Sequence, residues 1–302
     1  MSSSTEMPEQ WADALNHMSD DAAETLAASH AAAVTPASAV VSSDTRPLVT
    51  TSQIPTQQPG SNVEPPQQIP VVSAAMSQEG VPASVGQLFA KKAAFTTADG
   101  QSWQSDSLDE AARLNLFQIL NQEIRACRKC SEICSFRQQT VFGVGPIRPT
   151  VCFMGEAPGA DEDKQGEPFV GRAGQLLTRI IEAMQLKREE VYILNSLKCR
   201  PPGNRTPLPD EITNCFPYVE TQLETLQPRY IVCLGAVAVR SLLKTDAPVG
   251  QLRGRFFSYR GARVLVTYHP SYLLRNESAK KLVWEDMQIL MRELGIEVPK
   301  KK

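Results

Sequence analysis

The sequence has no run of about 18 apolar residues, the length a membrane-crossing helix needs, so a helical membrane protein is not expected. It also lacks a cationic start followed by an apolar stretch. Glu6, Glu9 and Asp13 sit there instead, which argues against a secretory signal. Cysteine is absent outside the span from Cys127 to Cys233, which holds all seven. An odd count without an export signal points to reduced thiols in a cytoplasmic protein, some of them metal ligands. Histidine is scarce: of three, His17 and His30 lie near the amino terminus, leaving His269 alone in the rest of the chain. Positive charge is nearly missing from the first 90 residues, where nine acidic residues face a single arginine for a net −8. Residues 91–302 carry 30 Lys/Arg against 24 Asp/Glu, a net +6. That part is mildly basic, which permits a nucleic-acid partner without requiring one.

What is present divides in two. Residues 1–107 are expected to be a disordered, acidic, low-complexity tail and linker, rich in Ser, Ala, Thr, Pro and Gln. Such a composition cannot bury enough apolar surface to offset its chain entropy. Within it, Glu9 to Val34 is Ala-rich and acidic, and reads either as a solvating tail with residual helicity or as a transient helix that would dock on a protein partner through Trp11, Leu15, Met18 and Leu26. Residues 108–298 are expected to form one domain, and the chain to be a monomer. Leu108 to Ala126 has the apolar spacing of an amphipathic helix. Short apolar runs at Val151–Met154, Val191–Leu194, Tyr230–Leu234 and Val264–Thr267 then alternate with helical patterns at Ala173–Met184, Asp210–Leu226, Ala236–Leu243 and Ala279–Leu294. This alternation predicts an α/β fold of three α/β/α layers around a central four-stranded parallel sheet. The strands run out into Gly155, Asn195, Gly235 and Tyr268-His269-Pro270, so four exits converge on one sheet edge, where open α/β folds place ligands.

The first exit is the most informative. Val151 to Met154 passes into Gly155-Glu156-Ala157-Pro158-Gly159, where glycines let backbone N–H groups approach a bound group and Glu156 projects between them. A second constellation is cysteine. Cys127 and Cys130 form a Cys-x2-Cys pair; after a gap of 68 residues Cys199 and Cys215 form a pair with 15 residues between. Four thiolates in two pairs suit a tetrahedral zinc or an iron–sulfur cluster, and spacing alone does not choose. Cys134, four residues after Cys130, is a rival ligand; Cys152 and Cys233 lie inside apolar strands as small core residues.

Taken together, these motifs resemble the family-4 uracil-DNA glycosylases. The first motif is Gly155 to Gly159 with Asp163-Lys164-Gln165-Gly166-Glu167-Pro168-Phe169-Val170-Gly171; the second is Asn195 to Pro202. The closing motif is His269-Pro270-Ser271-Tyr272-Leu273-Leu274-Arg275, and the cysteine spacing fits as well. The likeness covers roughly residues 115–295. It implies a 4Fe-4S cluster on Cys127, Cys130, Cys199 and Cys215, with zinc as the alternative, and uracil-containing DNA as substrate.

An enzyme acting on a base must take it out of the stack into a pocket. By resemblance, Phe169 stacks on the extruded uracil and Asn195 reads its edge. His269 donates to uracil O2 as charge builds there, and Glu156 holds the attacking water. Gly155 and Ala157 line the floor, and Glu162 stands near C5, where it would exclude thymine. The family lacks the aspartate that better-known uracil glycosylases place in their first motif. Ser271 and the apolar Tyr272, Leu273 and Leu274 offer a wedge for the vacated gap. Arg200, Asn204, Arg205 and Arg275 are candidate DNA contacts, with Arg253, Arg255, Lys280 and Lys281 as further phosphate ligands. Two other classes compete: a protein that traps uracil-DNA covalently through the closing histidine, and a non-catalytic iron–sulfur scaffold. The trapping relatives carry a Gln after the motif Glu and a basic loop before the last strand. Here Ala157 follows Glu156 and no Lys-Arg-Arg cluster precedes Val264.

Overall fold

A computed structural model of the chain describes Trp103 and residues 108–299, all within one of two compact units. Apart from Trp103, the expected tail and its helix anchors lie outside the described residues.

Five strands form one sheet in the order β2-β1-β3-β5-β4. They are β1 (Val151–Gly155), β2 (Tyr192–Asn195), β3 (Tyr230–Leu234), β4 (Phe256–Tyr259) and β5 (Ala262–Thr267). The first three are buried at every position, as expected of strands covered on both faces. β2, β1, β3 and β5 run parallel, with Phe153 opposite both Ile193 and Val232. The four-stranded expectation is corrected by β4, an antiparallel edge strand paired to β5. Arg260 and Gly261, both with positive φ (47° and 86°), make the two-residue turn that joins them.

Alternate residues face opposite layers. Val151, Phe153, Ile193, Val232 and Leu265 pack against α4 (Arg172–Ala183) and α9 (Ala279–Leu294), around the fully buried Trp284. Cys152, Met154, Leu194, Ile231, Cys233 and Val266 pack against α5 (Pro209–Leu226), α6 (Gly235–Leu243) and α7 (Val249–Leu252). Each such Leu, Ile or Phe contributes roughly 1.5–3 kcal/mol by leaving water, so both faces of the sheet are needed for the fold. α1 (Glu110–Ala126) starts at Asp109, whose carboxylate accepts from the Ala112 N–H at 2.7 Å, and buries Leu116, Leu120 and Ile124 along one stripe. Trp103 rests edge-on against Tyr259, 6.2 Å between ring centres. No helix among the described residues is long and apolar enough to cross a membrane.

The chain runs from β1 to β2 on one side and from its neighbour β3 to β4 and β5 on the other, so the connections leaving the carboxyl ends of β1 and β3 diverge. That crevice is a topological switch point, and it opens above Gly155.

Candidate active site and thiol site

The β1 and β2 exits stay joined beyond the strands. Ser196 donates to the Gly155 carbonyl (2.9 Å) and Leu197 to the Glu156 carbonyl (3.0 Å). Above them lies a cavity of about 270 Å³. It is lined by Glu156, Ala157, Glu162, Phe169, Asn195, Asn204, Arg205, His269 and Ser271, so the first, second and closing motifs meet there. The volume lies just under the roughly 300–1,000 Å³ of drug-sized ligand sites, a scale suited to a single base.

Gly155 lies beneath this cavity. A Cβ on it would come within 2.4 Å of the Phe169 ring and 2.5 Å of Asn195 Oδ1, so only glycine lets the two approach. Asn195 ends β2 almost completely buried, yet its Oδ1 has no hydrogen-bond partner among the described residues. A buried acceptor left unpaired costs about 1–3 kcal/mol, an outlay that a bound donor would remove.

Phe169 takes a left-handed backbone (φ 56°), uncommon for a residue with a Cβ. Two side chains enforce it. Arg188 donates to the carbonyls of Pro168 (2.7 Å) and Phe169 (3.0 Å). Glu162 accepts from the N–H groups of Val170 (2.9 Å) and Gly171 (3.0 Å) through one oxygen and from Gly159 (3.0 Å) through the other. Both oxygens of Glu162 are committed to backbone, so the residue shapes the loop that carries Phe169 while also lining the cavity. Asp163, buried next to it, similarly receives the Gln138 N–H at 3.0 Å. Sequence reasoning missed Arg188, because a lone arginine before a strand carries no motif.

His269 precedes the short helix α8 (Pro270–Leu273). Its Nδ1 accepts the Ser271 backbone N–H at 3.1 Å and lies 2.8 Å from the Ser271 hydroxyl. A backbone N–H can only donate, so Nδ1 carries the lone pair and the neutral ring bears its proton on Nε2. Burial, with a smaller push from the Arg275 charge, lowers the His269 pKa to about 4, so the ring is neutral at physiological pH. Its ring tilts against Phe169 at 5.5 Å. Gly235, at φ 86°, sits where a Cβ would come within 2.9 Å of the His269 Cβ, so α6 can start close to the histidine. Glu156 has its carboxyl pKa raised by burial.

Not every expected contact is free to meet DNA. Arg205 is engaged by Glu211 (2.7 and 2.9 Å) and Glu132 (2.8 Å), bracing its loop against α2 (Ser131–Phe136) and α5. Its guanidinium is thus tied to carboxylates at the cavity it lines. Arg253 likewise pairs with Asp286 (3.0 Å) and Glu285 (3.2 Å), and Lys280 is buried beside Glu277. Leu273 is wholly buried in the core and is no wedge; Tyr272 is the exposed aromatic of that loop, stacked on Tyr268 at 5.0 Å. Arg200 donates to the Asn204 side chain (2.7 Å), and Arg275 is exposed.

The thiols gather at a second cavity, behind the first, lined by Cys127, Cys130, Cys134, Cys199 and Cys215. Among the described residues no three metal-ligating side chains are already set at the geometry of a bound ion. The donor set nonetheless fits a thiolate-bound metal group. Arg137 donates to Cys199 Sγ (2.9 Å), the Lys198 backbone N–H to Cys215 Sγ (3.4 Å) and Asn214 to Cys130 Sγ (3.8 Å). The Tyr218 hydroxyl faces Cys127. Cys134 differs: its Sγ donates to the Cys127 carbonyl at 3.6 Å, the behaviour of a thiol. Burial pushes the Cys215 thiol up to about 12 and raises those of Cys199 and Cys130, so thiolates persist there only beside a strong positive charge.

The comparisons agree with this arrangement. Residues 142–288 match the Uracil DNA glycosylase superfamily. A type-4 uracil-DNA glycosylase from Saccharolobus solfataricus is 42% identical over 186 residues, 59% of this chain and 86% of that protein. Those from Thermotoga maritima and Sulfurisphaera tokodaii are 40% and 39% identical over 93% and 84% of their lengths, spanning 58% and 59% of this chain. With relatives matched along most of their length and the fold's switch-point crevice built from the same motifs, the chain belongs to the type-4 uracil-DNA glycosylases.

Proposed function

We propose that this protein hydrolyses the N-glycosidic bond of deoxyuridine extruded from DNA, releasing uracil and leaving an abasic site. The observation that carries the reading is the orphaned Asn195 Oδ1 in a cavity shared with Phe169, His269 and Glu156. Oδ1 accepts uracil N3–H while the amide NH2 donates to O4; cytosine presents an acceptor and a donor at those places and is mismatched. Phe169 stacks on the base. As the N1–C1′ bond breaks, its electron pair moves into the uracil ring. Nε2–H of neutral His269 donates to O2, where charge gathers, an oxyanion-type term worth about 3–4 kcal/mol at comparable sites. Glu156 orients the water whose oxygen bonds C1′ and accepts the proton released, and its raised pKa makes it a stronger base than a surface carboxylate. Tyr272 fills the gap in the duplex, and Arg200 and Arg275 meet phosphates.

The thiol site would hold a 4Fe-4S cluster through Cys127, Cys130, Cys199 and Cys215. Bound there, it supplies a rigid cross-link between the Cys127–Cys130 turn and the loop after β2, not redox chemistry, since the hydrolysis moves no electrons. Work as a monomer in the reducing cytoplasm, and recruitment of a protein by residues 1–107, complete the proposal; the seven unpaired cysteines suit that compartment.

The test is incubation with uracil-containing DNA. Free uracil supports the reading, with losses of at least tenfold in both His269→Ala and Asn195→Ala while folding is retained. A denaturant-resistant adduct would identify a trap instead, and neither product a scaffold.

A further inference from the structure

Lys198 is fully buried, in the segment that joins Asn195 to Cys199. Its ammonium forms no ion pair with a carboxylate among the described residues. Nζ donates instead to two main-chain carbonyls, Asn195 at 3.0 Å and Phe142 at 3.2 Å. Burying a cation without a carboxylate partner is unfavourable by several kcal/mol. A methionine or leucine would fill the same volume at far lower cost, so packing does not account for a lysine here.

The carbonyls that it grips do. The Phe142 carbonyl also accepts from Gln222 (3.0 Å), and two residues on Val144 forms an antiparallel bridge with Ile193 of β2. Lys198 thus ties the carboxyl end of β2 to the strand-like segment beside it. The Asn195 side chain is not held by a partner at Oδ1, so its aim comes from its own backbone. That backbone is fixed on one side by pairing with Gly155 and on the other by the Lys198 ammonium.

We propose that Lys198 is a positioning residue for base recognition: by holding the Asn195 carbonyl it aims the Asn195 amide at the edge of the extruded base. The inference rests on the uracil-releasing reading, and the experiment separates the two. Lys198→Met, Lys198→Gln and Asn195→Ala, singly and combined, are compared with wild type for uracil release, for release from otherwise identical cytosine-containing DNA, for iron content and for amide hydrogen exchange. Lys198→Met is expected to lower kcat/KM on uracil at least tenfold and to reduce the preference over cytosine, with iron content unchanged. In the Asn195→Ala background it should cost less than threefold more, since a residue acting through Asn195 has nothing left to aim. Exchange should rise at Ser196 and Leu197, and Lys198→Gln, which keeps a donor, should recover part of the loss and carry the cycle if the methionine variant does not fold. Full additivity with Asn195→Ala, or unchanged selectivity and exchange, would overturn the proposal. An inactive wild type would sink the glycosylase reading alone, because the exchange arm still tests whether Lys198 orders the end of β2.

Discussion

At the scale of single residues, two groups in one cavity are moved in opposite senses by the same cause. Burial favours the neutral form of each, so the pKa of His269 falls and that of Glu156 rises. For His269 the folded pKa lies below the ordinary value, so its contribution to stability is complete above about 6.5. It is lost as pH falls from there through about 4. Activity should therefore show no inflection near the ordinary histidine pKa. The acid limb of kcat/KM should instead lie above the usual carboxylate range and disappear in Glu156→Gln, with activity at least tenfold lower; a limb unchanged in that variant would remove Glu156 from the chemistry. For Glu156 the sign reverses. Its stabilising contribution is present at low pH and lost as pH rises through its raised pKa, so above that pKa the ionised, buried carboxylate destabilises the fold. Glu156→Gln should hence raise the thermal midpoint more the further the pH lies above the acid limb, while lowering turnover, the trade expected where a buried charge serves function. A lowered midpoint would mean that the carboxylate has a stabilising partner.

At the scale of elements, legibility followed how local the signal is. The parallel strands were readable because each is a short, uniformly apolar run, and the observed bounds differ from expectation by a residue or two at most ends. β4 was not. Its burial is only partial, and its turn is Arg260-Gly261 rather than the Asn-Gly or Asp-Gly that announces such hairpins. The approach of Asn195 and His269 at one edge was legible from the strand exits and that of Phe169 from the family resemblance; what braces them was not, since no motif announces a side chain bonding to backbone, whether it reaches three residues (Lys198 to Asn195) or nineteen (Arg188 to Phe169). Leu273 fails as a wedge for a related reason: in a four-residue helix the inward face was not decidable from apolarity alone. Arg188 yields the prediction proper to this scale. Its two bonds to the Pro168 and Phe169 carbonyls are charge-assisted, about 1.5–3 kcal/mol each in net terms. Arg188→Ala should free the left-handed Phe169 to relax, cutting kcat/KM roughly ten- to a hundredfold. Binding to undamaged DNA, which does not involve the base pocket, should be unaffected. Equal losses in both would place Arg188 on the DNA-contacting face instead.

Across the whole molecule, pocket and thiol site share a wall: Ala157 lines the first cavity and, with Cys130, packs against the cluster that includes Cys199 and Cys215. Five cysteines surround the second cavity, one more than a 4Fe-4S cluster requires, and hydrogen bonding sorts them. Arg137, the Lys198 amide, Asn214 and Tyr218 aim donors at Cys199, Cys215, Cys130 and Cys127, the polarity that a thiolate attracts. Cys134 spends its own proton on the Cys127 carbonyl. The proposed cluster predicts brown absorbance and iron in the purified protein, persisting in Cys134→Ser and falling away in Cys127→Ser. With the cross-link gone, the Arg200–Arg205 loop loses its anchor at Cys199, so Cys127→Ser should also lose affinity for uracil-containing DNA even where the sheet stays folded. The reverse pattern, iron kept in Cys127→Ser and lost in Cys134→Ser, would show that the fifth thiol, not the first, completes the site.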